Sequence, residues 1–185
     1  LCVGAPLHAG ARVTLEEAQA HYLLHTLRLR EGEHVALFNG RDGEWLAEAE
    51  APEKKRVHLT VRAQTAPLTP PPDIWLLFAP VKNEKIDYTV KRAVELGAAA
   101  LMPVITRHTA VSRVNTERLR ANAIEAAEQC GRTDIPPVSD PQPLEKLLGA
   151  WDPARVLLHC DESGAGAPPR ALLPSLAPGP HALLI

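Results

Sequence analysis

The sequence predicts a chain in two parts, a small antiparallel β domain followed by an α/β domain built on a parallel sheet. Three observations carry this expectation. Ala66-Pro67-Leu68-Thr69-Pro70-Pro71-Pro72 holds four prolines in seven residues, a composition that stiffens a linker toward extended polyproline conformation. Ahead of it, Arg56 to Arg62 alternates strictly, with Val57, Leu59 and Val61 on one face and Arg56, His58, Thr60 and Arg62 on the other, the pattern of a half-buried strand. Behind it, continuous apolar runs alternate with helical periods, which implies a parallel sheet covered on both faces. The expected boundaries are residues 1–66, a linker at 67–72, and 73–185.

In the first part, Thr14-Leu15-Glu16-Glu17 reads as a capping box and Gly32 as a stop, so one helix of about four turns is expected between them. Strands follow at His34 to Phe38, Glu44 to Ala49 and Arg56 to Arg62, the first two joined by the turn Asn39-Gly40-Arg41-Asp42-Gly43. About 66 residues is marginal for independent stability. In the second part, strands are expected at Ile74 to Ala79, Ala99 to Ile105, Arg155 to Cys160 and His181 to Ile185. Helices are expected from about Glu84 to Leu96, from Thr116 to Cys130, and near Leu144 to Leu148.

Composition excludes several classes. With 45% apolar and 23% charged residues the 185-residue chain is neither disordered nor collagenous. No apolar run approaches the roughly 20 residues of a spanning helix, and LCVGAPLHAG lacks the features of a signal peptide, so no membrane association and a cytoplasmic location are expected. Three scattered cysteines without a CxxC suggest neither a disulfide framework nor a zinc ribbon. Cys130 and Cys160 read as small buried apolar residues. His21 and His25 lie four apart but lack an apparent third ligand, and no metal is expected. Arginine outnumbers lysine 14 to 6, a bias that suits phosphate recognition, yet no segment is basic enough to establish RNA binding.

Two helices carry patterned polar faces. From Thr116, the residues Arg118, Asn122, Glu125, Gln129 and Arg132 stack along one face, while Leu119, Ala123, Ala126 and Cys130 are expected to point inward. That stripe suits equally a solvated face and the wall of a polar cleft. From Glu84, Ile86, Val90, Ala93 and Gly97 are expected inward, leaving Lys85, Lys91 and Arg92 outward with Lys82 just ahead. Arg107, His108 and Arg113 follow a strand's carboxyl end, where open α/β sheets bind ligands. His159-Cys160-Asp161-Glu162-Ser163-Gly164 follows another. Gly164 and Gly166 do not make a dinucleotide fingerprint, because Pro169 stands where a third glycine would and no helix is expected to open there. The chain begins at Leu1 and stops on an apolar strand, so it reads as a fragment or trimmed chain.

Four stretches together resemble one family. They are His21 to Arg30 with Gly32 and Phe38-Asn39-Gly40; Lys82 with Lys91-Arg92-Ala93-Val94-Glu95-Leu96-Gly97; Pro103 to Ser112, including Arg107; and Glu125-Ala126-Ala127-Glu128-Gln129-Cys130-Gly131-Arg132 with Pro136. The chain resembles the RsmE-type 16S ribosomal RNA uridine N3-methyltransferases of the SPOUT superfamily. The resemblance implies a PUA-like RNA-binding β domain, an α/β SPOUT-type domain with a trefoil knot, S-adenosylmethionine as methyl donor, a homodimer, and 16S rRNA in the small ribosomal subunit as partner. It also implies that Ile185 immediately precedes the family's glycine-rich cofactor loop, so the chain is expected to be C-terminally incomplete and inactive by itself.

Roles follow provisionally. The resemblance assigns Leu158, His159, Cys160, Asp161, Glu162 and Ile185 to the cofactor. A uracil N3 must lose its proton while positive groups stabilise charge on the flanking carbonyl oxygens, and arginine cannot be the base. Arg107 and Arg132 are therefore expected as oxygen stabilisers or RNA clamps, Glu125 as the carboxylate and Gln129 as an orienting donor. Arg28, Arg30, Lys82, Lys91 and Arg113 are the RNA-backbone candidates. Reversing Arg132 to glutamate is expected to abolish methylation and leave the fold largely intact. The alternatives are a non-catalytic dimeric RNA-binding module and a SPOUT enzyme acting on another RNA.

Overall fold

The computed structural model describes residues 1–51, 56–82, 84–109, 111 and 113–185, so Ser112, which ends one of the quoted stretches, lies outside the described residues. The chain divides into two compact units, residues 1–70 with 131–135, and residues 71–130 with 136–185.

The first unit is a four-stranded antiparallel sheet. Its strands are β1 (Arg12–Glu16), β2 (His34–Phe38), β3 (Glu44–Ala49) and β4 (Arg56–Ala66), in the order β1-β4-β3-β2. Val57, Leu59 and Val61 of β4 are fully buried and pack with Val13, Leu15, Leu37 and Ala47. The alternation legible in the sequence is thus the core face of the sheet. β1 was not expected. Val13 and Leu15 alternate inward, and Thr14, across the sheet from His58, shares a 3.0 Å hydrogen bond with its Nδ1. The Thr14 hydroxyl therefore caps no helix, and the Glu17 side chain lies outside the described side chains.

The helix that follows is shorter than four turns. It comprises α1 (Glu17–His21), continued by one π-helical turn over Tyr22–Thr26. Its end is set by Arg28, which adopts a left-handed φ of 56°, and by the amide of Leu29, which reaches back to the carbonyl of Leu23 at 2.9 Å. Gly32 is not the stop, because its N–H donates to the Ala49 carbonyl and ties the chain into the sheet.

The second unit alternates strand and helix: β5 (Ile74–Phe78), α2 (Glu84–Glu95), β6 (Ala100–Ile105), α3 (Thr116–Cys130), β7 (Gln142–Pro143), α4 (Leu144–Gly149), β8 (Val156–His159), α5 (Pro169–Leu172) and β9 (His181–Leu184). The five strands form a parallel sheet in the order β7-β6-β5-β9-β8. From β5 the chain steps outward through β6 to β7, then crosses to the far edge at β8 and returns to β9. Right-handed crossovers put the helices of opposite steps on opposite faces. Accordingly Leu144 and Leu147 of α4 pack with Leu77, Val104 and Ala182 on one face, while α2 and α3 pair side by side.

Four details differ from expectation. Gly97 does not point inward along α2 but ends it, with φ +91° and its N–H on the Val94 carbonyl. Cys130 is exposed because α3 runs past the sheet there, the buried positions being Leu119, Ala123, Ala126 and Ala127. Cys160 is exposed because it leaves the edge strand β8. A short helix does open at Pro169, a residue well suited to a first helical turn.

Candidate functional site

The carboxyl edge of the second unit's sheet brings together the residues read as cofactor ligands. Leu158 and His159 stand in register with Leu183 and Leu184, and the Cys160 amide donates to the Leu184 carbonyl at 2.9 Å. On the other side of β9, Ile185 donates to the Leu77 carbonyl at 3.0 Å and accepts from the Ala79 amide at 3.3 Å. β5 and β9 lie side by side although the chain reaches β9 only after β6, β7 and β8, and open α/β sheets hold ligands beyond the carboxyl ends of their strands.

The loop leaving β8 is ordered by its own acid. Asp161 accepts from the Ser163 hydroxyl at 2.6 Å and from the Ser163 amide at 2.9 Å. These bonds hold its carboxyl below the usual carboxylate range, so it is an exposed, fixed negative charge. Glu162 beside it is also exposed.

Arg107 sits exposed on the turn that leaves β6. Thr106 and Thr109 close that turn, with the Thr106 amide donating to the Thr109 hydroxyl at 2.7 Å. Arg113, farther along, lines a cavity of about 160 Å³ with Val81, Ile86, Asp87, Arg118 and Leu119.

The polar stripe of α3 is largely a solvated face, with Arg118, Glu125 and Gln129 exposed, and α2 answers part of it. Arg118 pairs with Asp87, Asn122 donates to the same carboxylate at 2.7 Å, and Lys91 donates to Glu125 at 2.9 Å. Amino-terminal residues meet amino-terminal residues, so the helices run parallel, as two successive βαβ steps in one direction require. Asp87 was missed in the sequence. Its signal was present in the order of charges: Asp87 and Lys91 on α2 are the complement of Arg118 and Glu125 on α3. Gln129 is exposed one turn beyond, and Lys82 is exposed ahead of α2.

Arg132 does not continue the stripe. Gly131, at φ +73°, breaks the helix after Cys130, and residues 131–135 belong to the first unit. There the guanidinium grips Asp134 with both nitrogens of one edge, at side-chain exposures of 13% and 16%. Arg107, Glu125 and Gln129 belong to the second unit. In the first unit, Arg28 and Arg30 are exposed at the end of the π-helical turn.

A family model described as an RNA methyltransferase domain matches residues 61–184, and one described as an RNA methyltransferase PUA domain matches residues 15–62. The chain belongs to the RNA methyltransferase domain family. Among curated proteins of this kind it is similar to ribosomal RNA small subunit methyltransferase E of Rickettsia conorii, 34% identical over 132 residues, which cover 71% of this chain and 52% of that protein. The protein of the same name from Synechocystis is 33% identical over 81% of this chain and 50% of its own length. The chain thus spans about half the length of the curated relatives it matches.

Among solved structures, a putative methyltransferase from Legionella pneumophila with bound S-adenosylmethionine matches at TM-score 0.83 and 25% identity, over 100% of this chain and 77% of that one. A ribosomal RNA small subunit methyltransferase E from Neisseria gonorrhoeae, also bound to S-adenosylmethionine, matches at TM-score 0.86 and 24% identity over the same shares, which bears on fold. The RsmE-type resemblance is borne out, and with it the SPOUT-type α/β fold preceded by a PUA-like β unit.

Proposed function

We propose that this chain carries RNA-binding and cofactor-binding parts of an enzyme that transfers a methyl group from S-adenosylmethionine to N3 of a uridine in 16S rRNA of the small ribosomal subunit. The observation that carries the reading is the joining of the β8 loop to the end of β9 at the carboxyl edge of the sheet, in a chain whose family model is an RNA methyltransferase domain.

The residues present fit the donor. S-adenosylmethionine supplies an activated methyl group on a cationic sulfur, with hydroxyls and an amine to be held. Asp161, kept anionic by Ser163, and Glu162 suit such cationic and hydroxyl groups, while Leu158, His159, Cys160 and Ile185, held in place by the sheet's own hydrogen bonds, border the site.

The chain's own task is to orient the uridine and accept its proton. As N3 loses its proton, negative charge spreads onto the flanking carbonyl oxygens, where Arg107 or Arg132 would stabilise it. Glu125 is the carboxylate candidate for the proton, with Gln129 as orienting donor. Its partner Lys91 both fixes its orientation and supplies a nearby positive charge. Lys82, Lys91, Arg113, Arg28 and Arg30 would hold phosphates, which set register without reading sequence. A cytoplasmic homodimer belongs to the same reading. The dimer is supported by exposed apolar surface at Tyr88 of α2, 64%, and at Leu96 just past its end, 87%, for which light scattering is the check. Among the described residues no helix is long and apolar enough to cross a membrane.

The test is to incubate the complete gene product with S-adenosylmethionine and small ribosomal subunits from cells lacking the activity, then analyse the digested RNA by nucleoside mass spectrometry. N3-methyluridine is expected. Methylation of a different nucleoside, or none with a folded protein, would overturn the reading.

A further inference from the structure

We infer that the end of α1 and the π-helical turn that continues it form a stacking platform for an unpaired RNA base, built from His21, Tyr22 and His25 and flanked by Arg28 and Arg30. The inference rests on the RNA-binding reading above and narrows it to single-stranded nucleotides.

The turn is anchored from beneath and open above. Leu23 is 1% exposed and locks the turn to the sheet core, whereas His21, His25, Arg28 and Arg30 are exposed and Tyr22 is 46% exposed. The rings of His21 and His25 lie with centroids 4.5 Å apart at an interplanar angle of 43°. Both residues of the pair are exposed. Leu27, 54% exposed, adds an apolar neighbour.

Two features separate this patch from an ordinary helix face. Among the described helices the π-helical turn occurs here only, and wide turns of this kind concentrate at functional sites. Arg28 is the only described residue other than glycine with positive φ, a conformation that costs free energy for a long side chain. Charge points to the occupant: from His21 to Arg30 the chain carries two arginines, two histidines and no carboxylate. Aromatic rings interleaved with arginines match a nucleotide, rings to base and guanidinium to phosphate. Duplex RNA buries its bases in the stack and would leave the rings idle, so an unpaired segment is the occupant the chemistry selects.

The experiment uses the complete gene product and titrates labelled oligouridine and an RNA duplex of equal length, by fluorescence anisotropy at several salt concentrations. Tyr22→Ala and His25→Ala should each weaken oligouridine binding about tenfold, with duplex affinity and the salt slope unchanged. Arg28→Ala should instead weaken both ligands and lower the salt slope by about one. Thermal melts confirm that these surface variants fold. Unchanged oligouridine affinity in both ring variants would overturn the platform, as would equal losses for strand and duplex. A changed oligomeric state with unchanged RNA affinity would overturn it too, marking the patch as a protein contact. Methylation measured alongside keeps the two readings separable. Ring-dependent binding in a protein that methylates nothing removes the enzyme and leaves the platform, and methylation with ring-independent binding does the reverse.

Discussion

Individual positions decide how the first unit can be altered. Gly43 has φ +80°, and a Cβ there would lie 2.4 Å from the Ala66 carbonyl oxygen and 2.9 Å from the Leu68 nitrogen. Both are backbone atoms and cannot swing aside. Gly43→Ala is therefore expected to destabilise the unit by about 1–3 kcal/mol, read as a lowered urea midpoint. Arg132 shows the opposite limit of single-sequence reasoning. Spacing alone made it a face residue whose reversal the fold should tolerate, but a mostly buried Asp134 faces it. Arg132→Glu would set two carboxylates against each other out of water, so loss of the folded first unit is expected and any loss of methylation would be uninformative. Arg132→Lys keeps the charge and gives up the planar fork. A loss of about 0.5–1.5 kcal/mol is expected for the missing bond, and only with that variant does a fall in turnover speak to chemistry.

At the scale of elements, legibility followed the strength of the periodic signal. β4 was readable because three β-branched or apolar residues alternate with four polar ones, and α3 because its pattern runs for 15 residues. β1 was not. Its Thr14 is followed three places later by Glu17, the first residue of α1, and this local capping signal hid the pairing of Arg12 to Glu16 with β4, which lies forty or more residues away. The π-helical turn had no period to detect. Of the candidate site, the strand-end loops were readable from apolar runs that stop abruptly, whereas the answer of α2 to α3 required both helices to be placed first. On α3, Ala123 is fully buried, so Ala123→Leu should cost about 1–3 kcal/mol through overpacking. By contrast, side chains exposed at 34% and 55% make Lys91–Glu125 a surface pair. A double-mutant cycle on it should return a coupling of about 1 kcal/mol or less. A stability coupling well above that would mean the pair is built into the packing.

For the molecule as a whole, acid is the expected route to unfolding, because both units hold carboxylates that folding makes stronger acids. In the first unit the Leu7 amide and the Asn39 side chain lower Asp42, and Arg12 with Thr60 lowers Glu50. In the second, Arg155 lowers Asp73. The Arg155 guanidinium, 9% exposed, meets Asp73 through both terminal nitrogens, donates to the His181 carbonyl at 3.0 Å and stacks 3.6 Å over the Trp75 ring. It thereby ties the starts of β5, β8 and β9 together. For each such carboxyl the folded state binds its proton less readily than the unfolded chain, so the stabilisation is complete above the unfolded pKa of about 4 and is lost as pH falls through the folded value. Melting temperature should therefore hold between neutrality and roughly pH 5 and fall steeply below pH 4. Asp73→Asn should lower stability at neutral pH by about 1–2 kcal/mol, a figure already reduced because the carboxylate is half exposed. The variant's acid limb should be shallower than the parent's, since one of the protons that drives unfolding has been removed. A variant whose melting temperature runs parallel to the parent's down to pH 3 would show that the Asp73–Arg155 tie contributes nothing to acid sensitivity.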